Sequence, residues 1–251
     1  MERVVVAEMK KEEIRREIWA LLEERKVSRF PFPTVGRIPN FEGARQASRQ
    51  LTSLDCWQDA RSLKANPDSP QRSARRLALS EGKTVYMAVP RLTQRSCFLE
   101  LDPRAIATPE RAATIKGAFA LGRPVRPDRI GTLDLVLAGS VAVDYEGGRL
   151  GKGGGYSDLE YALGREYGFL EERTPVVTTV HPLQLIREGI PMSVHDISVD
   201  FVVTPKEAHR MKPHHPKPQG IRWDILQEEM LNRIPILLEI RRRTNEGHRK
   251  Q

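Results

Sequence analysis

A chain of 251 residues, 39% hydrophobic and 29% charged, is long enough to bury a sizeable core and too apolar to be disordered. The 41 Lys and Arg against 33 Asp and Glu leave a net charge of +8, which favours anionic partners such as nucleotides, polyglutamates or nucleic acid without choosing among them. Cys56 and Cys97 stand alone, with no CxxC pair and no Cys/His spacing, which suggests neither a disulfide framework nor a structural zinc site; both read as small buried residues of a reducing compartment.

The apolar run Val4-Val5-Val6-Ala7 is too short for a signal segment, and no later stretch reaches membrane-spanning length. A cytoplasmic protein with no membrane partner is expected. Residues 10–26 read as an amphipathic helix with Ile14, Ile18, Leu21 and Leu22 on its apolar face. Lys11 and Arg15 are four apart and share a neighbouring face. On spacing alone they are a solvated basic edge or an anion-binding pair.

Residues 29–40 (RFPFPTVGRIPN) hold three prolines, which forbid a helix and favour an extended arm over the surface. Phe30, Phe32 and Phe41 are expected to pack that arm down, a ligand platform being the alternative. A helix is predicted from Phe41 to Leu54, with Ala44, Ala47, Leu51 and Leu54 inward. Asn66-Pro67-Asp68-Ser69-Pro70 is a turn cluster, and Pro70 to Leu79 reads as a helix ending near Gly82.

Thr84 to Val89 is a short strand, and Leu99 to Pro103 another extended piece. Thr108 to Leu121 has a proline in its first turn and Gly122 after it, which predicts one helix. Leu133 to Ala138 is an apolar run of buried-strand type, and Val141-Ala142-Val143 continues extended. Val176 to Val180 and Val199 to Val203 are β-branched strands, with His181 and Gln184 expected at the ligand-bearing end of the sheet. Residues 209–218 (HRMKPHHPKP) read as a mobile basic loop, with metal binding by His209, His214 and His215 as the alternative. Trp223 to Arg233 is predicted helical, Pro235 breaks it, and Ile236 to Arg243 forms a short closing helix whose arginines begin a solvated tail. Strands that alternate with helices imply an α/β fold with a largely parallel sheet, whose ligands bind at the carboxyl ends of the strands.

The stretch most suggestive of chemistry is Arg149-Leu150-Gly151-Lys152-Gly153-Gly154-Gly155-Tyr156-Ser157-Asp158. Glycines allow positive φ and close backbone approach, and successive N–H groups in such a loop form an anion-binding concavity. A helix follows at once, capped by Ser157 or Asp158, and its N-terminus adds to the attraction. Neither GxxxxGK[ST] nor GxGxxG fits the spacing. A flexible turn and a phosphate loop are equally open from composition.

RLGKGGGYSD resembles the RLGxGGGYYD signature of the 5-formyltetrahydrofolate cyclo-ligase family, also called methenyltetrahydrofolate synthetases. Lys11-Glu12-Glu13-Ile14-Arg15 matches the family's opening K-x-x-[LI]-R. HDISVDFVVTP at 195–205 is similar to its closing strand, and the likeness runs from about residue 10 to 205. The Pro-rich arm, the VHPLQ stretch and GIRWDILQEEMLNRIPIL look closest to the branch of synthetase domain-containing proteins.

The resemblance implies a three-layer α/β fold of the NagB/RpiA/CoA-transferase kind. With the chain length, a single domain over 1–251 is expected, carrying the arm 29–40 and a basic extension at 206–251. The resemblance also implies that ATP and Mg²⁺ drive conversion of 5-formyltetrahydrofolate to 5,10-methenyltetrahydrofolate: the γ-phosphoryl group goes to the formyl oxygen, N10 attacks the activated carbon, and phosphate leaves. Carried over by motif, Lys11, Arg15, Arg149, Leu150, Gly151, Lys152, Gly153, Gly154, Gly155 and Tyr156 would hold ATP. Arg149 and Lys152 would be catalytic, and Lys152 to Tyr156 would also border the substrate. Asp158 and Asp196 would hold Mg²⁺, where a helix cap and a turn residue are the alternatives.

Two departures stand out. Ser157 replaces a second tyrosine. The family also places a pterin-binding glutamate in the helix before the G-K-x-[VI] strand, whereas SPQRSARRLALSEGK puts Arg72 to Arg75 there with no acidic residue in register. This opens two alternatives: the same ATP chemistry on another small acidic heterocycle, perhaps thiamine-related, or a non-catalytic nucleotide- or RNA-binding homologue.

Overall fold

The computed structural model describes residues 2–248. Its centre is an eight-stranded sheet. In chain order its strands are β3 (Ser62–Ala65), β4 (Thr84–Ala88), β5 (Phe98–Leu101), β6 (Arg123–Val125), β7 (Leu135–Ala138), β10 (Val176–Thr179), β12 (Phe201–Val203) and β13 (Ala208–Arg210). The remaining strands form two small sheets: β1 (Ser28–Arg29) with β2 (Asn40–Phe41), and β8 (Ala142–Asp144) between β9 (Arg149–Leu150) and β11 (Leu185–Ile186). The large sheet runs β13-β12-β10-β7-β3-β4-β5-β6. Its five central strands are mutually parallel, and β13, β5 and β6 are antiparallel edges.

Helices cover both faces. Leu135 and Leu137 of β7 point into a core with α3 (Asp55–Gln58), α4 (Arg72–Ser80), α5 (Pro109–Ala112) and α6 (Ile115–Leu121), and α2 (Ala44–Gln50) packs against α4. Val136 and Ala138, one residue out of phase, point into a second core with α7 (Tyr156–Glu166), α8 (Glu228–Arg233) and α9 (Pro235–His248). That period of two, with both faces apolar, is what a buried parallel strand requires, and it makes the three-layer α/β fold. A third cluster joins α1 (Glu2–Glu24) to the β8 sheet through Ile14, Ile18, Trp19, Leu22, Val141, Ala142 and Leu150. No described helix is long and apolar enough to cross a membrane.

Several elements differ from those the sequence pattern predicts. The first helix starts at Glu2 rather than near residue 10. The helix expected at 108–121 is two: Thr114 is extended (φ −87°, ψ 156°), its Oγ1 accepts from Gly117 N at 2.9 Å to start the second helix, and the turn packs Gly117 closely against the Arg111 carbonyl. The predicted helix at 223–233 forms only from Glu228. Part of the loop at 209–218 is strand β13, so His209 pairs with Val202 instead of joining a metal cluster. Among the described residues no group of three or more metal-type ligands exists. Phe41 packs inward, but Phe30 and Phe32 do not; they are 78% and 56% exposed. Arg241, Arg242 and Arg243 are exposed, yet they lie on α9, whose Ile236 and Leu237 are fully buried.

Candidate active site

The carboxyl ends of β7, β3 and β4 open into a cavity of about 490 Å³. Its wall is completed by α1, the glycine-rich loop, the start of α7 and the turn before Ile197. Lys11, Arg15, Arg149, Leu150, Gly151, Lys152, Gly153, Gly154, Gly155, Tyr156, Asp158 and Asp196 all line it. Residues separated by as many as 185 positions in the chain are thus brought to one hollow.

Each element has a reason to be there. The loop turns through two left-handed glycines, Gly153 (φ 97°) and Gly155 (φ 66°), where a Cβ would be strained. Gly155 is the N-cap residue of α7, so neither Ser157 nor Asp158 serves as the cap expected from sequence. Asp158 sits in the first turn instead. Its Oδ1 accepts from Ile197 N at 3.0 Å and pairs with Arg149 Nη2. Arg149 is itself buried, and donates further to the carbonyls of Gly139 at 3.2 Å and Ile197 at 3.3 Å. The pair therefore ties the glycine loop, the end of β7 and the approach to β12 together.

Helix α1 supplies the other side. Lys11 Nζ donates to Asp196 Oδ2 at 2.7 Å and to Glu8 Oε1 at 2.9 Å. Burial works against the Lys11 ammonium, but the two carboxylates outweigh it and hold its pKa above the ordinary value. Arg15 Nε donates to the Gly151 carbonyl at 2.9 Å, and its Nη1 to Glu12 at 3.0 Å. Lys152, half exposed at the loop's outer bend, donates to Asp68 Oδ1 at 2.9 Å. All four cations meet a carboxylate.

Two free acceptors remain on the aspartates. Asp158 Oδ2 and Asp196 Oδ1 make no hydrogen bond among the described residues, the latter having only His195 Nε2 at 3.6 Å. Carboxylate oxygens of this kind suit Mg²⁺, which keeps several waters and takes phosphate oxygens for the rest. The cations and the loop N–H groups suit a polyphosphate. On donor chemistry the cavity fits both.

Sequence reasoning missed the floor. Strand β3 has no apolar run to announce it, since Arg61, Ser62 and Lys64 leave only Leu63 and Ala65 apolar. Fully buried Lys64 pairs with Glu160, which is also buried and receives Asn66 Nδ2 at 3.2 Å. Burial pushes the Glu160 carboxyl above the usual range, against the pull of Lys64. Asn66 Oδ1 accepts from Gly139 N and Ser157 Oγ, both at 3.2 Å. Asp68 lies on the turn ahead of α4, so an acidic residue does reach the cavity where the helix itself carries none. The signal available was the turn cluster 66–70.

Other expected groups lie elsewhere. Arg75, fully buried, donates to the carbonyls of Asn66, Pro67, Asp68 and Ala113, and burial lowers its pKa to about 10. It holds the 66–68 turn and does not face a ligand. Arg72 and Arg76 border a separate hollow with Arg29 and Arg45. His181 Nδ1 accepts from Leu183 N at 3.2 Å, and Gln184 Nε2 donates to the Ser140 and Val141 carbonyls at 3.0 Å, so both are structural and neither lines the cavity. Glu81 is bonded to Trp57, and Glu100 to Tyr86 and Arg123.

Known proteins share this architecture. The model of the 5-formyltetrahydrofolate cyclo-ligase family matches residues 7–205. The methenyltetrahydrofolate synthase domain-containing proteins of Mus musculus and Homo sapiens are 41% and 37% identical over 243 residues, 94% of this chain. The chain spans 64% and 63% of their own lengths. The NMR structure of Aquifex aeolicus 5,10-methenyltetrahydrofolate synthetase superposes with a TM-score of 0.50 at 20% identity, covering 82% of this chain and 94% of that one, a likeness of fold. With the family pattern extending over most of its length and the motif residues gathered around one cavity, the chain belongs to the 5-formyltetrahydrofolate cyclo-ligase family.

Proposed function

We propose that the protein uses ATP and Mg²⁺ to close 5-formyltetrahydrofolate into 5,10-methenyltetrahydrofolate. The observation that carries this reading is the gathering of Lys11, Arg15, Arg149, Lys152, the glycine loop, Asp158 and Asp196 around one cavity. Lys11, Arg15, Arg149 and the stretch Leu150 to Tyr156 bind the triphosphate; the loop N–H groups and cations hold its charge in place. Arg149 and Lys152 act on the charge that develops as the γ-phosphoryl group passes to the formyl oxygen. Lys152, half exposed and held by a single carboxylate, is free to swing onto that group. Asp158 and Asp196 hold Mg²⁺, which when bound neutralises phosphate charge. Lys152 to Tyr156 border the second substrate, and Asp68 and Glu160 offer carboxylate acceptors to the N–H donors of a reduced pterin.

The Arg72–Arg76 segment motivated a different acidic heterocycle. With Arg75 bonded to carbonyls and Arg72 and Arg76 outside the cavity, that motive weakens and the folate reading gains. The arm 29–40 and the segment 206–251 belong to the same working unit in this reading, and a cytoplasmic setting suits its substrates. The test is the rise of methenyltetrahydrofolate absorbance after mixing protein, MgATP and 5-formyltetrahydrofolate. A rise that Asp158→Ala abolishes is expected; ATP consumption with no such rise would overturn the reading.

A further inference from the structure

Five cationic side chains of Lys or Arg line the cavity, and four of them already have a carboxylate: Lys11 with Asp196 and Glu8, Arg15 with Glu12, Arg149 with Asp158, and Lys152 with Asp68. Arg91 is the exception. Among the described residues no acidic group pairs with it, and its side chain is exposed at the rim. Its backbone is unusual as well. Arg91 and Leu92 have φ of 58° and 52°, two successive non-glycine residues in the left-handed region. Such conformations cost on the order of 1–3 kcal/mol each and persist where the surroundings fix them. Here the fixing is visible: Leu92 is fully buried, its N–H donates to the Val89 carbonyl at 2.9 Å, and Val89 N donates to Cys97 O at 2.9 Å. The turn is held so that the arginine stands at the carboxyl end of β4.

Position within the sheet says what Arg91 can reach. Arg149 bonds Gly139 at the end of β7, and Asp196 precedes β12; both belong to the β12-β10-β7 side. Arg91 follows β4, two strands beyond β7. At about 4.8 Å per strand the backbone there is on the order of 10 Å from the end of β7. A phosphate held by Arg149 is served from the other side of the sheet, and Arg91 is left for an anion at the far end of the second substrate.

We infer that Arg91 is a specificity-determining residue that binds a carboxylate carried by the substrate at a distance from its reacting ring. In the folate reading, on which this rests, that group is the glutamate attached through the aminobenzoyl linker. An arginine fork takes a carboxylate by two parallel hydrogen bonds, and the partner completes the one uncompensated charge in the cavity.

The test compares 5-formyltetrahydrofolate with 5-formyltetrahydropteroate, which lacks the glutamate, in the full-length wild type, Arg91→Gln and Arg91→Gly. The glycine variant suits the left-handed backbone, so the turn survives loss of the side chain. Wild type is expected to lose at least tenfold in kcat/KM when the glutamate is removed. In both variants that preference should collapse to less than threefold, through KM and not kcat, while the KM for MgATP moves less than twofold. A preference that persists in both variants overturns the inference. If wild type forms no methenyl product at all, the functional reading falls separately. Arg91 is then judged by binding of N-(4-aminobenzoyl)glutamate against 4-aminobenzoate in the presence of MgADP. No preference in wild type, or one that survives in Arg91→Gly, overturns it.

Discussion

Arg149 and Lys152 stand three residues apart and carry different burdens. Arg149 is buried, and its guanidinium holds Asp158 and two carbonyls. Arg149→Gln strands that carboxylate, and removing one member of a buried pair costs about 3–5 kcal/mol. Both urea stability and MgATP affinity should fall, the latter at least 100-fold by calorimetry. Lys152→Ala breaks an exposed pair, so stability should stay within about 0.5 kcal/mol while turnover drops 100-fold or more. Equal losses of stability in the two variants would contradict this division. His181 gives a pH prediction. Burial lowers its pKa, with Glu42 pulling the other way. Its Nδ1 is an acceptor only when unprotonated. The unfolded chain therefore takes up the proton first, and the stability His181 contributes is present above the unfolded pKa of about 6.5 and lost as pH falls through the folded value. His181→Asn keeps an acceptor and should flatten the slope of urea midpoint against pH between 7 and 5. At this scale the residue pattern left the glycine loop open between a turn and an anion site, and it was the family resemblance that singled out Lys11, Arg15, Asp158 and Asp196, which the fold brings to one cavity. Lys64, Asn66 and Glu160 were not legible, because a charged side chain inside a buried strand contradicts the pattern that announces a strand.

The break between α5 and α6 leaves no room for a side chain at Gly117. An ideal Cβ on Gly117 would lie 1.8 Å from the Arg111 carbonyl oxygen and 2.9 Å from Thr114 Oγ1, so Gly117→Ala must push the two helices apart. A loss of about 2 kcal/mol or more is expected, seen as a fall of about 4–8 °C in Tm. Gly131 has nothing near its Cβ position and no positive φ, and Gly131→Ala should shift Tm by less than 1 °C. Pro109 in the first turn and Gly122 after the end bracket 108–121, which is why one helix was expected there. Such signals mark where a helix starts and stops and are blind to a backbone that turns between them. The second half of α1 and the strands β4, β7 and β10 were legible, since each has apolar residues at the right period. The two-residue strands and the antiparallel edge β13 were not; their pairing is set by neighbours far along the chain.

At the scale of the molecule, the C-terminal segment is part of the core it had seemed to trail from. Ile234, Ile236 and Leu237 are fully buried against the same cluster as β7, β10 and α7. Leu237→Ala should cost about 2–5 kcal/mol, and truncation before Pro235 should abolish cooperative urea unfolding. A truncated chain that unfolds at the wild-type midpoint would show the segment to be dispensable. The cavity has a consequence of the same reach. Because Lys11, Arg15, Arg149 and Lys152 each arrive with a carboxylate already attached, the site holds these four charges as its own electrolyte. A bare anion entering it strands the displaced carboxylates, and a bare metal ion must compete with ammonium and guanidinium. Only a visitor that brings both signs of charge at once can exchange with every pair and leave none behind. In the proposed reading such a site selects by stoichiometry of charge, and inorganic phosphate and metal-free ATP should each bind more weakly than MgATP by calorimetry.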